Sequence, residues 1–347
     1  MTRQGNRQIL ESETTPDQRA RASASLFAGP IAIPAPAPVT SVPGQHSHTG
    51  WLKEVRSSMI PSAFEYVRPA DLGQALQILK DREGEAKILS GGYSLLPLIK
   101  LRLAQPELLV DIRDVGGLDG ISESAGEFRI GGRATHRAIL DNAALAAALP
   151  IMRDAASGIG DPQIRNWGTI GGSVAHADPA ADWPAVLLAL SASIVLQSTA
   201  GERVVPARGF FIDTFQTGIE PTEILTEVRI PVPGPRSGGS YQKLERRAGD
   251  FSTVGAAAQM TLGADGRIIQ VGIGLTAVAD APFAATKAED TLKGAAPGEE
   301  MFRAAATAAS SQSRPATDTH GPAEYKLAMV TEMTLRALRA ALARAQG

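Results

Sequence analysis

Two glycine-rich segments, about eighty residues apart, are where this chain's backbone could do chemistry. The first is Ser90-Gly91-Gly92-Tyr93-Ser94-Leu95-Leu96-Pro97. The second is Gly160-Asp161-Pro162-Gln163-Ile164-Arg165-Asn166-Trp167-Gly168-Thr169-Ile170-Gly171-Gly172-Ser173, running on to Ala177-Asp178-Pro179-Ala180-Ala181-Asp182. Successive backbone N–H groups in a glycine-rich turn form a concave anion site, because no side chain blocks close approach and positive φ is accessible. A helix that starts just after the turn adds the positive end of its dipole. Each segment is expected at a strand-to-helix junction, so together they suggest two cradles for one long phosphate-bearing ligand. A pyrophosphate would be held by charge-assisted hydrogen bonds of roughly 1.5–3 kcal/mol each.

Blander readings stand beside this one. Gly91-Gly92 alone reads as a plain turn. Neither segment matches Gly-x-Gly-x-x-Gly or the lysine loop of nucleotide hydrolases. Gly132-Arg133-Ala134-Thr135 reads equally as a third contacting loop or as strand-end packing. Asp178 and Asp182 read equally as ribose ligands or as a helix cap and a first-turn acid. Lys243, in Tyr241-Gln242-Lys243-Leu244-Glu245-Arg246-Arg247, reads as a solvated strand end. There is no Ser–His–Asp triad and no pair of carboxylates in an apolar setting. No residue presents itself as acid, base or nucleophile, so no catalytic residue is assigned and a bound cofactor would carry the chemistry.

Composition narrows the classes. The 347 residues are 44% hydrophobic and 20% charged, with a formal net charge of -2. No basic stripe with interleaved aromatics is present, which argues against a nucleic-acid partner. There is no cysteine. Disulfides and thiolate metal sites are therefore excluded, and any iron–sulfur cluster must sit on another chain. His46 and His48 fall in a low-complexity stretch and read as a solvated linker, so no metal site is expected. No run of eighteen apolar residues occurs, which predicts no membrane span. The apolar stretch from Leu26 to Val39 is broken by Pro30, Pro34, Pro36 and Pro38. That is not a signal peptide, and a cytoplasmic location is expected.

These segments need elements to position them. Residues 1–57 lack periodicity and read as a disordered extension. From residue 58 to 118 a βαβαβ unit is expected: strand 63–67, helix from Pro69, strand 86–89, helix 95–102 and strand 108–112, forming a small parallel sheet. Over 119–232 the pattern predicts a strand at 128–132, helices at 138–148, 150–158 and 183–190, a hairpin of 194–197 with 202–205, and a strand at 224–230. Residues 232–238 read as a linker. The last block, 237–347, reads as strands at 240–244, 254–262 and 268–275, then helices at 282–292, 301–311 and 323–345. The fold class is α+β.

From about Ile60 to Ala343 these motifs resemble the flavin-binding medium subunit of molybdenum hydroxylases, the family of aerobic carbon monoxide dehydrogenase and bacterial xanthine dehydrogenase. Ser90 to Pro97 resembles that family's first flavin loop. Gln163-Ile164-Arg165-Asn166, Thr169 to Ser173, Asp178-Pro179 and Asp182 resemble its second. Arg246-Arg247-Ala248-Gly249-Asp250-Phe251 and Glu324-Tyr325-Lys326 resemble the start and end of its C-terminal domain. The resemblance implies a two-subdomain FAD-binding fold of the PCMH type plus an α+β C-terminal domain. It implies that Lys87, Ile88, Leu89, Ser90, Gly91, Gly92, Tyr93 and Ser94 line an extended FAD. Thr169, Gly171, Gly172 and Ser173 would supply a second set of contacts, with Thr135 on the third loop. Asp182 would bind FAD hydroxyls, and Leu225 and Lys243 would lie near the isoalloxazine ring. Tyr93 departs from the family, which has Gln, His, Asn or Thr there more often. The implied function is electron transfer, from 2Fe-2S clusters on a small subunit to an external acceptor. The small subunit and a large molybdopterin subunit would be partners in a dimer of heterotrimers. The alternatives are a free-standing FAD-dependent reductase of the same fold and a non-enzymatic assembly subunit without FAD.

Overall fold

The computed structural model describes residues 60–347. The extension expected over 1–57 lies outside the described residues.

The first unit is β1 (Glu65–Val67), α1 (Leu72–Asp81), β2 (Ala86–Leu89), α2 (Leu95–Lys100) and β3 (Leu108–Asp111). Its strands form a parallel sheet in the order β1-β3-β2. Asp71 starts α1 by accepting the Gln74 N–H at 2.8 Å, which satisfies one of the helix's orphan donors. Ala75, Leu76 and Leu79 then pack on Val110 and Ile112. β2 is followed directly by the first glycine pair and α2, the expected strand-to-helix junction.

The second unit opens with β4 (Ile121–Ser124) and β5 (Glu127–Gly131). Helices follow: α3 (His136–Asp141), α4 (Ala143–Ala148), α5 (Pro150–Gly158), α6 (Pro162–Trp167), α7 (Ile170–His176) and α8 (Asp182–Ala189). It closes with β6 (Ser193–Ser198), β7 (Gly201–Pro206), β8 (Phe211–Asp213), β9 (Gln216–Thr217) and β10 (Ile224–Pro231). An antiparallel sheet runs β4-β5-β10-β6-β7, and β8 pairs with β9. The single helix expected over 138–148 is two, because the Asn142 side chain accepts the Leu145 N–H and restarts the chain as α4. The second glycine segment does not follow a strand. It carries α6 and α7, started by the Asp161 and Thr169 side chains.

The third unit has β11 (Ser237–Leu244), β12 (Val254–Leu262), β13 (Ile268–Thr276) and β14 (Phe283–Ala284) in one antiparallel sheet. α9 (Thr286–Leu292), α10 (Glu299–Gln312) and α11 (Ala323–Gln346) follow. β11 begins inside the expected linker. Phe283 and Ala284, expected in a helix, instead pair with Leu275 and Gly274 of β13, so the helix starts at Thr286. Phe302, Ala306, Leu338 and Ala341 from α10 and α11 share a core with Ala258, Met260 and Leu275 of the sheet.

α8 joins the second and third units. All eight of its residues are buried. Gly272 and Gly274 on β13 let it approach to backbone contact: a Cβ there would lie 2.0 Å from the Ala189 carbonyl oxygen and 1.9 Å from that of Ala185. Among the described residues no helix is long and apolar enough to cross a membrane.

Candidate functional site

The two glycine segments meet. Ser90 Oγ lies 3.0 Å from Thr169 Oγ1. A Cβ on Gly91 would sit 2.3 Å from the Trp167 carbonyl oxygen and 3.0 Å from Gly168 Cα. Glycine at 91 is thus what lets one backbone touch the other. Gly92 has φ 86°, in the left-handed region. Between the end of β2 and the start of α2, the N–H groups of Gly91, Gly92, Tyr93 and Ser94 make no hydrogen bond among the described residues. Ser94 precedes α2 without a capping bond from its side chain. Unspent amides at a turn that leads into a helix form an anion site, and a phosphate-bearing group fits it chemically. Tyr93 stands at its edge, 44% exposed.

The second segment is built differently from a second open cradle. The amides of Ile170, Gly171, Gly172 and Ser173 are already used. Ile170 N–H donates to the Ala134 carbonyl at 3.0 Å and Gly171 N–H to the Gly132 carbonyl at 2.9 Å. Gly172 N–H donates to Thr169 Oγ1 at 3.1 Å. The segment Gly132 to Thr135 is therefore a support for the second segment, and Thr135 and Thr169 form a bridge. Thr135 Oγ1 is occupied in capping α3. What the second segment turns toward the first is the Thr169 hydroxyl, with Gly172 beside it. Ser173 is half-buried in the first turns of α7. Behind this contact His136 is buried, and its Nδ1 accepts the Trp183 indole N–H at 3.0 Å. Burial first, and then the Arg165 charge, lowers His136 to about 4.

Asp182 and Lys243, 61 residues apart, come together in a buried cluster. The Asp182 side chain is 6% exposed and that of Lys243 9%. Asp182 Oδ1 accepts from the Tyr241 hydroxyl at 2.5 Å and from Ser252 Oγ at 2.9 Å. Its Oδ2 accepts from Lys243 Nζ at 3.1 Å. Lys243 also donates to the Gly158 carbonyl at 2.8 Å, and Glu245 Oε2 lies 3.4 Å from it. Lys243 is not a solvated strand end. Burial pushes the Asp182 carboxyl up, while Lys243, Tyr241 and Ser252 pull it down. Burial and the Asp182 charge push the Tyr241 phenol well up, so it stays a donor. Asp182 is a first-turn acid of α8, and its oxygens face the third unit's sheet. Asp178 Oδ1 accepts the Ala180 N–H at 2.9 Å, a local turn.

Other expected residues fall around these two centres. Lys87 is exposed on β2, Ile88 half-buried, and Leu89 buried with its Cδ1 beside Gly92. Leu225 is buried where β10 shifts register, and its carbonyl oxygen would lie 2.4 Å from a Cβ on Gly132. It thus backs the third loop. α6 connects the two centres. Its C-terminal end, at Trp167 and Gly168, touches Gly91. Beyond its N-terminal end lies the 158–160 turn, where Lys243 holds the Gly158 carbonyl and Arg165 Nη1 donates to the Ile159 and Gly160 carbonyls. Six helical residues span about 9 Å. Sequence reasoning missed Tyr241 and Ser252. The available signal for Tyr241 was its i, i+2 relation to Lys243, which places both on one face of a strand.

Comparison with known proteins agrees with this architecture. Residues 62–233 match the family described as FAD binding domain in molybdopterin dehydrogenase. Residues 239–341 match the carbon monoxide dehydrogenase flavoprotein C-terminal domain. The carbon monoxide dehydrogenase medium chain of Afipia carboxidovorans is 42% identical over 288 residues, covering 83% of this chain and 100% of the relative. The glyceraldehyde dehydrogenase medium chain of Sulfolobus acidocaldarius is 35% identical over 282 residues, 81% of this chain and 99% of the relative. Among solved structures, a chain of carbon monoxide dehydrogenase from Hydrogenophaga pseudoflava lacking the Mo-pyranopterin moiety superposes with a TM-score of 0.80 at 43% identity. It covers 82% of this chain and 99% of its own length.

Proposed function

This chain belongs to the FAD-binding flavoprotein subunits of molybdenum hydroxylases, and on that premise we propose that it passes electrons from 2Fe-2S clusters of a small subunit to an external acceptor. It is an oxidoreductase subunit, and its cofactor is FAD. When bound, FAD supplies a group that accepts electrons singly or in pairs.

The observation that carries the proposal is the run of unspent amides from Gly91 to Ser94, placed against the Thr169 hydroxyl. These amides would hold the pyrophosphate by charge-assisted hydrogen bonds, each worth about 1.5–3 kcal/mol. Ser90 and Thr169 would fix the seam between the segments. Lys243, held by Asp182 and the Gly158 carbonyl, would stand at the ring end with Leu225 behind the third loop. Lys87, Ile88, Leu89, Gly171, Gly172, Ser173 and Thr135 would line or back the same cleft. In this reading the FAD-binding subdomains are 58–118 and 119–232, and the C-terminal domain is 237–347. The chain has no cysteine, so the clusters belong to a partner. The relatives' names point to unlike reactions, on carbon monoxide and on glyceraldehyde. That favours a substrate site on a large molybdopterin subunit rather than here, and a dimer of heterotrimers as the assembly. A cytoplasmic location is part of this proposal.

The test is spectral and compositional. Purified protein mixed with FAD and desalted is expected to keep flavin absorbance. Expression with its native neighbours is expected to co-purify one 2Fe-2S chain and one molybdopterin chain. Loss of all flavin on desalting, or a flavin-loaded chain that stays alone beside those neighbours, would refute it.

A further inference from the structure

We propose that Tyr241 and Ser252 are positioning residues that act through Asp182 on Lys243, fixing its ammonium at the ring end of the FAD site. The inference rests on the reading that Lys243 lies at that end.

Every donor on the Asp182 carboxylate comes from the third unit: Tyr241 and Lys243 from β11, and Ser252 from the turn before β12. Residues i and i+2 share a strand face, so the phenol and the ammonium reach the carboxylate side by side. The two hydroxyls both take Oδ1, and they lie 3.1 Å from each other. Oδ2 is thereby left to Lys243. With the Gly158 carbonyl as second acceptor, the ammonium is held from two sides.

The surroundings are shaped for this arrangement. A Cβ on Gly255 would lie 2.4 Å from Tyr241 Oη, so glycine at 255 makes room for the phenol. Thr276 Oγ1 donates to the Pro179 carbonyl at 2.7 Å and the Ala181 carbonyl at 2.8 Å, which stops the start of α8 from drifting. Tyr241 N–H donates to Asp154 Oδ2 at 3.1 Å, and Arg344 grips the same carboxylate with both terminal nitrogens. The fold thus pins both ends of the Tyr241–Asp182 bond.

A carboxylate this buried stays ionised only while its donors compensate for lost water. Remove one hydroxyl and the carboxyl moves toward its neutral form, leaving the Lys243 charge balanced only by Glu245, whose Oε2 lies 3.4 Å from the ammonium. A more positive charge beside an electron-accepting ring favours the reduced ring, so its midpoint potential rises. FAD retention depends on the amides at the other end of α6 and is expected to persist.

The experiment uses the full chain loaded with FAD, with bound flavin and midpoint potential measured for each variant. Tyr241→Phe and Ser252→Ala are expected to keep FAD and shift the potential upward. Ser252→Thr, which restores a hydroxyl, is expected to return it toward wild type. In a Lys243→Gln background, Tyr241→Phe is expected to add nothing. Hydroxyl variants that hold FAD at the wild-type potential would overturn the proposal alone, as would an equal shift in the Lys243→Gln background. Wild-type protein that takes up no FAD refutes the cofactor reading itself, and the proposal with it. Lys243→Gln with an unchanged potential refutes the ring-end placement, and again the proposal. If Tyr241→Phe fails to fold, the Ser252 pair decides.

Discussion

Gly91→Ala is the sharpest test of how the two glycine segments are joined. The added Cβ would start 2.3 Å from the Trp167 carbonyl oxygen and 3.0 Å from Gly168 Cα. Both neighbours are backbone, so no side chain can swing aside. To reach about 3.3 Å, a close carbon–oxygen contact, the segments must part by about 1 Å. The Ser90–Thr169 hydroxyl pair, now 3.0 Å apart, would open to about 4 Å, beyond hydrogen-bond range. Overpacking of this kind costs about 1–3 kcal/mol, and the lost bond adds about 1 kcal/mol. The expected destabilisation is about 2–4 kcal/mol, which lowers Tm by roughly 5 °C or more. Loss of one charge-assisted bond at the cradle weakens FAD binding by roughly 10- to 100-fold. Gly92→Ala is the control. At φ 86° it costs about 1–2 kcal/mol of backbone strain, but its Cβ meets only the movable ends of Leu96 and Leu89. Thermal melts and a flavin titration of both variants check the ranking. A Gly91→Ala protein with wild-type Tm and FAD affinity, or one milder than Gly92→Ala, would refute the backbone contact.

Gly171→Asp is expected to harm folding before it harms FAD binding, because its Cβ would lie 2.5 Å from the Gly132 carbonyl oxygen; a folded, stable Gly171→Asp with only FAD lost would contradict this. Acid stability should carry the signature of His136. Its folded value, about 4, lies below the unfolded 6.5, so the unfolded chain takes up a proton that the native state refuses. Stability should therefore fall as pH drops from 6.5 to about 4 and level off below, by up to about 3 kcal/mol. His176 is lowered by burial in the same direction. Denaturant midpoints against pH for wild type and His136→Gln separate the two: the steeper slope should belong to wild type, and equal slopes would count against the assignment.

How much was legible depended on distance along the chain. The first glycine pair was readable because the short apolar strand Ala86–Leu89 runs straight into it and α2 follows. The second segment carries no helical signal in its sequence, because glycine disfavours helix interiors by about 1 kcal/mol. Pro162 at a first helical position and Thr169 as a cap overrode that cost, and tertiary packing of Gly171 on Gly132 made the glycines necessary. Asp182 and Lys243 were named separately, each with a local explanation available. Their pairing crosses 61 residues, and Ser252 joins from 70 away, distances at which spacing carries no signal. Glu245, Arg246 and Arg247 beside Lys243 made a solvated end the natural expectation. The strands β4, β8, β9 and β14 are two to four residues long, too short for alternation to register.

The burial of α8 bears on how such a chain can be divided. The two family segments end and begin at 233 and 239, which invites treating them as interchangeable parts. Yet Trp183, Val186 and Leu187 belong to the second unit's core, while the backbone of Ala185 and Ala189 rests on Gly272 and Gly274. A cut near residue 236 would leave this helix, apolar from Trp183 onward, with one side in water, an aggregation surface rather than a solvated face. Grafting a C-terminal segment from a relative would need glycine at both contact points on its third strand. The segments are thus one structural piece, joined through a helix that belongs in sequence to one and in packing to both.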